Sequence, residues 1–296
     1  MLLLPIAAAV GASTGWATGI VLAQRPARLL GAFEFTRIQL TACSAIVSAL
    51  CAILGYWSAI PWHHWPAFVL STIFGILAGN LAMIECLRRG GPRRTELMLS
   101  LKGPIVAVVA FFWFGETLDS WDVLGGLVVL SGLLLAVQFG GNEDSDCDRL
   151  NGQLWTVVLL GLVAVLCQGF GFLAVKPAMA EGMSPLAVSA VRLLGAAFIM
   201  SVIALWPARA FQPKTRLNAS LLGQTILPGV IGYIVSTSLL LYAFKNFHAG
   251  LAAVLGSLSP VLVLPLLWLK EKQAPKPVAT LGAFVVIGGT AIIALL

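Results

Sequence analysis

Ten apolar runs of about 20 residues, separated by short polar or Pro/Gly-containing breaks, dominate this chain and leave it one environment. They cover 3–23, 33–56, 66–87, 95–114, 121–139, 153–175, 185–206, 221–244, 247–269 and 277–296. In lipid every backbone N–H and C=O must be bonded within its own segment, so runs of this length are read as transmembrane helices. Of the 296 residues, 59% are hydrophobic and 10% charged, against roughly half and a quarter in soluble domains. The opening MLLLPIAAAVGASTG has the small residues of a secretory signal. It lacks a basic start, however, and its apolar character continues to Ala23, so it reads as the first span.

The net charge of +6 comes from basic residues in short loops rather than on one face, which excludes nucleic acid as a partner. Cys43, Cys51, Cys86 and Cys167 lie inside apolar runs and behave as small hydrophobes. Cys147 is the fifth cysteine, and no CxxC or His/Cys pairing suggests a metal or a disulfide. The chain has no P-loop, nucleophile elbow or HExxH, so neither ATP-driven pumping nor hydrolysis is expected, and no cofactor.

One polar, acidic linker, GGNEDSDCDRLNG at 140–152, divides the chain into halves 1–139 and 153–296, each with five spans. The halves align at a shift of about 155. Arg37 falls on Arg192, Trp113 on Trp268 and Glu116 on Glu271, and LGGLVVLSG lies against LGAFVVIGG. An odd number of spans per half makes the second half enter from the opposite face. The expected fold is therefore all-α and integral to the membrane, ten helices as two inverted five-helix repeats around a central cavity. Carriers use that geometry to expose one midplane site to each side in turn.

Several stretches carry a more specific likeness: RRGGPRRTELMLSLKGP entering the fourth span, FGETL closing it, WDVLGGLVVLSGLLLAV in the fifth, and SLSPVLVLPLLWLKEK in the ninth. With five-plus-five spans, they resemble the EamA-type members of the drug/metabolite transporter superfamily over essentially the whole chain. The resemblance implies secondary transport of small metabolites, often export of amino acids, in the plasma membrane. It also implies that spans 1, 3, 4, 6, 8 and 9 surround the cavity.

Ionisable residues within spans cost about 2.5–3.5 kcal/mol on insertion scales, so each needs a partner or a task. Lys102 lies about 10 Å inside the fourth span at ~1.5 Å per residue. It adjoins Gly103 and Pro104, which interrupt helical hydrogen bonding. It is read as a substrate contact, with pairing to Glu85 or Glu96 as the alternative. Glu85 and Glu96 are candidates for proton coupling or gating. Arg37 and Arg192, as repeat mates, are read as structural ion-pair residues. The larger polar groups Trp16, Asn80, Gln168, Tyr233 and Tyr242 fit poorly into tight helix packing and are assigned to the cavity, while smaller Ser, Thr and Gly residues serve helix contacts.

Trp57, Trp62, Trp65, Trp121 and Trp155 are interfacial anchors, and His63 and His64 in PWHHWP are headgroup-level residues rather than metal ligands. Basic residues crowd the loops after odd-numbered spans, while the opposite loops hold Lys176 and Lys245. The positive-inside rule then sets both termini outside. The partners implied are a lipid bilayer and a small-molecule substrate, with proton or exchange coupling. An amino-acid exporter is the first reading. A carrier of more anionic cargo is the second, and a non-transporting scaffold the third.

Overall fold

The computed structural model describes residues 3–101, 105, 120–139, 150–206, 217–239, 258–272, 274 and 276–295. Every regular element among them is helical. We label the α-helices α1 (Leu3–Leu30), α2 (Ala32–Ile53), α3 (Trp65–Leu70), α4 (Gly79–Leu99), α5 (Ser120–Phe139), α6 (Leu154–Ala174), α7 (Lys176–Ala180), α8 (Pro185–Ala204), α9 (Ala219–Gly229), α10 (Ser259–Glu271) and α11 (Pro277–Leu295). Among the described residues, six continuous helical stretches are long and apolar enough to cross a membrane. The chain is a multi-pass membrane protein. Most of the fourth expected span and the first half of the ninth lie outside the described residues.

Helix ends depart from the apolar runs where polar residues continue the helix. The first helix persists to Leu30, seven residues past the expected end, through Gln24, Arg25 and Pro26. Ala23, Ala27 and Leu30 are buried, so one face still packs after the other has turned polar. It stops at Gly31, whose φ of 82° and ψ of 164° suit glycine. Between spans 3 and 4 the expected loop over 88–94 is absent. The helix continues to Leu99, bent at Gly91 (φ 80°, ψ 171°) just before Pro92. Proline removes one N–H and crowds the preceding turn, and glycine tolerates the compensating conformation. The linker's end is tied to this bend: Asn151 donates its backbone N–H to Arg89 O at 2.8 Å.

Two of the long helices change pitch midway. Ser71–Ala78, between α3 and α4, and Val230–Ser236, after α9, are π-helical. Such segments are uncommon and concentrate at functional sites. These two occupy matching places in the halves: adding 159 to 71 gives 230.

Lipid tails are as apolar as leucine, so close packing rather than hydrophobicity must hold the helices together. Small residues permit it. A Cβ on Gly132 would fall 2.8 Å from Gly282 O, and one on Gly289 would fall 2.7 Å from Gly125 O. Hence α5 and α11 cross antiparallel with backbones nearly touching. The contacts are reciprocal, because at a shift of 157 Gly125 corresponds to Gly282 and Gly132 to Gly289. On the other side, Leu40, Cys43, Val47 and Cys51 of α2 pack with Ala190, Leu193, Ala197 and Met200 of α8.

Candidate functional site

The two π-helical segments bring their polar residues together. Asn80 is the second residue after the first segment, and Tyr233 lies in the middle of the other. The Asn80 amide donates to the Tyr233 hydroxyl, linking positions 153 residues apart. Asn80 is 4% exposed, so this bond satisfies a group that would otherwise cost about 1–3 kcal/mol to bury.

Three further groups surround the pair. Gln168 of α6 donates to Gly79 O at 3.5 Å, adjoining Asn80. Trp16 of α1 faces Gly232, where a Cβ would stand 3.8 Å from its Cδ1. From α8, Arg192 reaches in. A Cβ on Gly75 would lie 2.7 Å from its Nη2, so the missing side chain at Gly75 makes room for the guanidinium. Arg192 interacts electrostatically with Tyr233. Its Nε is out of contact with solvent and lacks a hydrogen-bond partner. Among the described residues no carboxylate forms an ion pair with it. The Ser236 hydroxyl, buried against Gly15, likewise has no partner.

The sequence reading assigned Arg192 to a structural ion pair alongside Arg37, and the two environments differ. Arg37 donates from Nε and Nη2 to the two carboxylate oxygens of Glu34, at 2.8 and 2.6 Å. Glu34 stands three residues earlier in α2, whereas the equivalent place before Arg192 holds Ser189. That difference is the signal by which sequence could have singled out Arg192.

The two acidic candidates also diverge. Glu85 accepts from Arg88 at 2.6 and 2.7 Å and from Arg89 Nε at 2.6 Å, so its carboxylate is clamped by two guanidinium groups. Glu96 is buried at 5% exposure and accepts from Ser259 Oγ of α10 at 2.7 Å, joining residues 163 positions apart. Lys102 and Tyr242 lie outside the described residues. Trp16, Asn80, Gln168 and Tyr233 are brought together, and Glu85 and Glu96 stand at the bent end of α4, toward the face of the Gly91 bend.

A fixed cation, an amide, a phenol and an indole between helices can receive a small polar molecule. The guanidinium suits a carboxylate or phosphate oxygen pair. The other groups offer hydrogen bonds and an aromatic face.

Comparison with known proteins bears on the whole chain. Residues 3–138 and 155–295 each match the family described as "EamA-like transporter family". A solved structure titled "Crystal structure of protein" aligns over 98% of this chain and 96% of its own, with a TM-score of 0.69 and 20% identity, a likeness of fold. No curated protein matches the chain.

Proposed function

The chain belongs to the EamA-like transporter family, and from that premise we propose that it is a secondary-active carrier of small metabolites, an exporter of amino acids or similar small zwitterions working by alternating access. The observation that carries this reading is the junction of Asn80, Tyr233 and Arg192, built between pitch-distorted stretches of both halves. Irregular helix in a carrier frees backbone groups for a substrate. A guanidinium without a described acidic partner supplies the complement to a substrate carboxylate. The Asn80 side-chain carbonyl and freed backbone carbonyls suit an ammonium, and Trp16 offers it an aromatic face. Where Lys102 adds a second cation, it serves the same acidic end.

Alternating access requires two halves that interchange roles. The reciprocal glycine contacts of α5 with α11, and the paired π-helical segments, support an inverted repeat with its axis through the α5–α11 crossing. Glu85, held by two arginines, is a poor proton carrier. Glu96, at a contact between helices of the two halves, is the carboxylate for proton or exchange coupling. The family's usual setting, the plasma membrane, is the proposed location.

Counterflow tests the substrate. Proteoliposomes containing the full chain are loaded with one unlabelled compound from a panel of amino acids and phosphorylated metabolites, and uptake of its labelled form is followed. Accumulation with at least one amino acid supports the reading. Accumulation with phosphorylated compounds alone replaces it by the anionic-cargo carrier, and no flux with any compound in folded protein refutes it.

A further inference from the structure

Far from this junction in sequence and chemistry, the turn before α3 meets the end of α7. His63 Nε2 lies 3.0 Å from one carboxylate oxygen of Glu181, and His64 Nε2 lies 2.9 Å from the other. The two imidazoles are tilted neighbours with centroids 4.2 Å apart. All three potential donor atoms fall within 4.8 Å of one another. We propose that His63, His64 and Glu181 form a binding site for a divalent transition-metal cation of the zinc class.

The donor set decides the class of ion. Two imidazoles and one carboxylate suit Zn²⁺, with Ni²⁺ and Cu²⁺ as chemical neighbours, whereas Mg²⁺ and Ca²⁺ require six or more oxygens. Tetrahedral ligands at ~2.0–2.1 Å from zinc stand about 3.3 Å apart. The nitrogen–oxygen separations of 2.9 and 3.0 Å therefore need to open by only a few tenths of an ångström. The ion takes the place of the protons that now bridge nitrogen and carboxylate, and each ring keeps its hydrogen on Nδ1. His63 and Glu181 remain 64% and 47% exposed, which leaves a route for the ion and a fourth position for water.

The backbone on each side is fixed before any ion arrives. His64 ends the short 3₁₀ turn Trp62–His64, with its N–H bonded to Pro61 O at 3.1 Å. Glu181 ends α7, with its N–H bonded to Pro177 O at 3.2 Å, and Gly182 follows at a φ of 94°. Beneath them, Ile60 and Phe68 from one side pack on Val175, Ala178 and Met183 from the other. Thus the ligands are held on a shared apolar base rather than on free loops, the condition for a preorganised site. His63 and His64 belong to the first matched segment and Glu181 to the second. A bound ion would tie the two halves together at this face and slow any rearrangement that separates them.

The test uses the full chain without a polyhistidine tag, reconstituted in nanodiscs and dialysed against buffered zinc, with bound metal measured by elemental analysis. The expected result is one Zn²⁺ per chain. Outer-shell residues of zinc sites typically contribute 10–100-fold in affinity, so direct ligands should contribute no less. His63→Ala, His64→Ala and Glu181→Gln should each weaken binding at least tenfold. Zinc should raise the thermal midpoint of the parent and leave the variants unmoved, while all four melt alike in chelator. Absence of stoichiometric zinc, or binding that the H63A/H64A double variant retains within twofold, would overturn the proposal. Because the cysteines remain in every variant, zinc held by thiols would reveal itself as that second result.

Discussion

Two neighbouring glycines in α11 isolate the close helix contact from everything else. At Gly289 an added Cβ would sit 2.7 Å from Gly125 O and equally close to Val129 N and Cγ2, and two of those three atoms are backbone. At Gly288 it would meet nothing within 4 Å. Replacing either by alanine improves helix propensity by about 0.8–1.0 kcal/mol, a gain common to both sites. Only Gly289→Ala adds overpacking, about 1–3 kcal/mol when the neighbours cannot yield. Gly288→Ala should therefore be neutral or stabilised by up to ~1 kcal/mol, and Gly289→Ala should fall ~1–3 kcal/mol below it. Gly132→Ala, on the reciprocal side, should behave like Gly289→Ala, since its Cβ would stand 2.8 Å from Gly282 O. Reversible unfolding in mixed micelles, followed by circular dichroism, measures all three against the parent. Equal midpoints for the 288 and 289 variants would refute the packing reasoning.

Other consequences follow from charge. Arg37→Met leaves the Glu34 side chain, 3% exposed, without its partner, at a cost of about 1–3 kcal/mol. The double variant Glu34→Gln/Arg37→Met should recover most of it, and a double variant no better than the single would show that the pair does not explain the loss. At the opposite face, hydrogen bonds from His64 and then His63 hold the Glu181 carboxyl below its ordinary value of 4.5. A depressed carboxyl stabilises above its unfolded value and loses that contribution as pH falls through the folded one. The difference in thermal midpoint between parent and Glu181→Gln should thus be constant near neutrality and vanish below about pH 4.5; persistence in strong acid would contradict it. Loop charge sets the C-terminus outside, so a C-terminal alkaline phosphatase fusion should be active in intact cells and a fluorescent fusion dark.

The spans were legible because lipid imposes one rule on every segment, and the family's motifs extended that reading to the fold class. What escaped the sequence depends on geometry that hydropathy does not encode. The helix through Pro26 continues because Ala27 and Leu30 still bury one face, while the charges beside them read as a loop. RRGGPRR looked like a connection, yet one glycine in an unusual conformation suffices to turn the chain. The π-helical segments carry no period of their own in STIFGILA or VIGYIVS. Asn80, Tyr233, Gln168 and Trp16 could be named one by one as polar groups too large for tight packing. Their meeting, with Arg192 among them, required the tertiary structure. Glu181 shows the same limit: nothing near it in sequence hints at two histidines 117 and 118 positions earlier.

The central claim is that the junction of Asn80, Tyr233 and Arg192 is where substrate binds. Its most direct test is counterflow with the best substrate of the panel, comparing the parent with Arg192→Gln in protein shown to be monodisperse and to melt as the parent does. Loss of at least tenfold in flux, with folding intact, is the predicted result. Flux at the parent level would contradict it and return Arg192 to a purely structural place in α8.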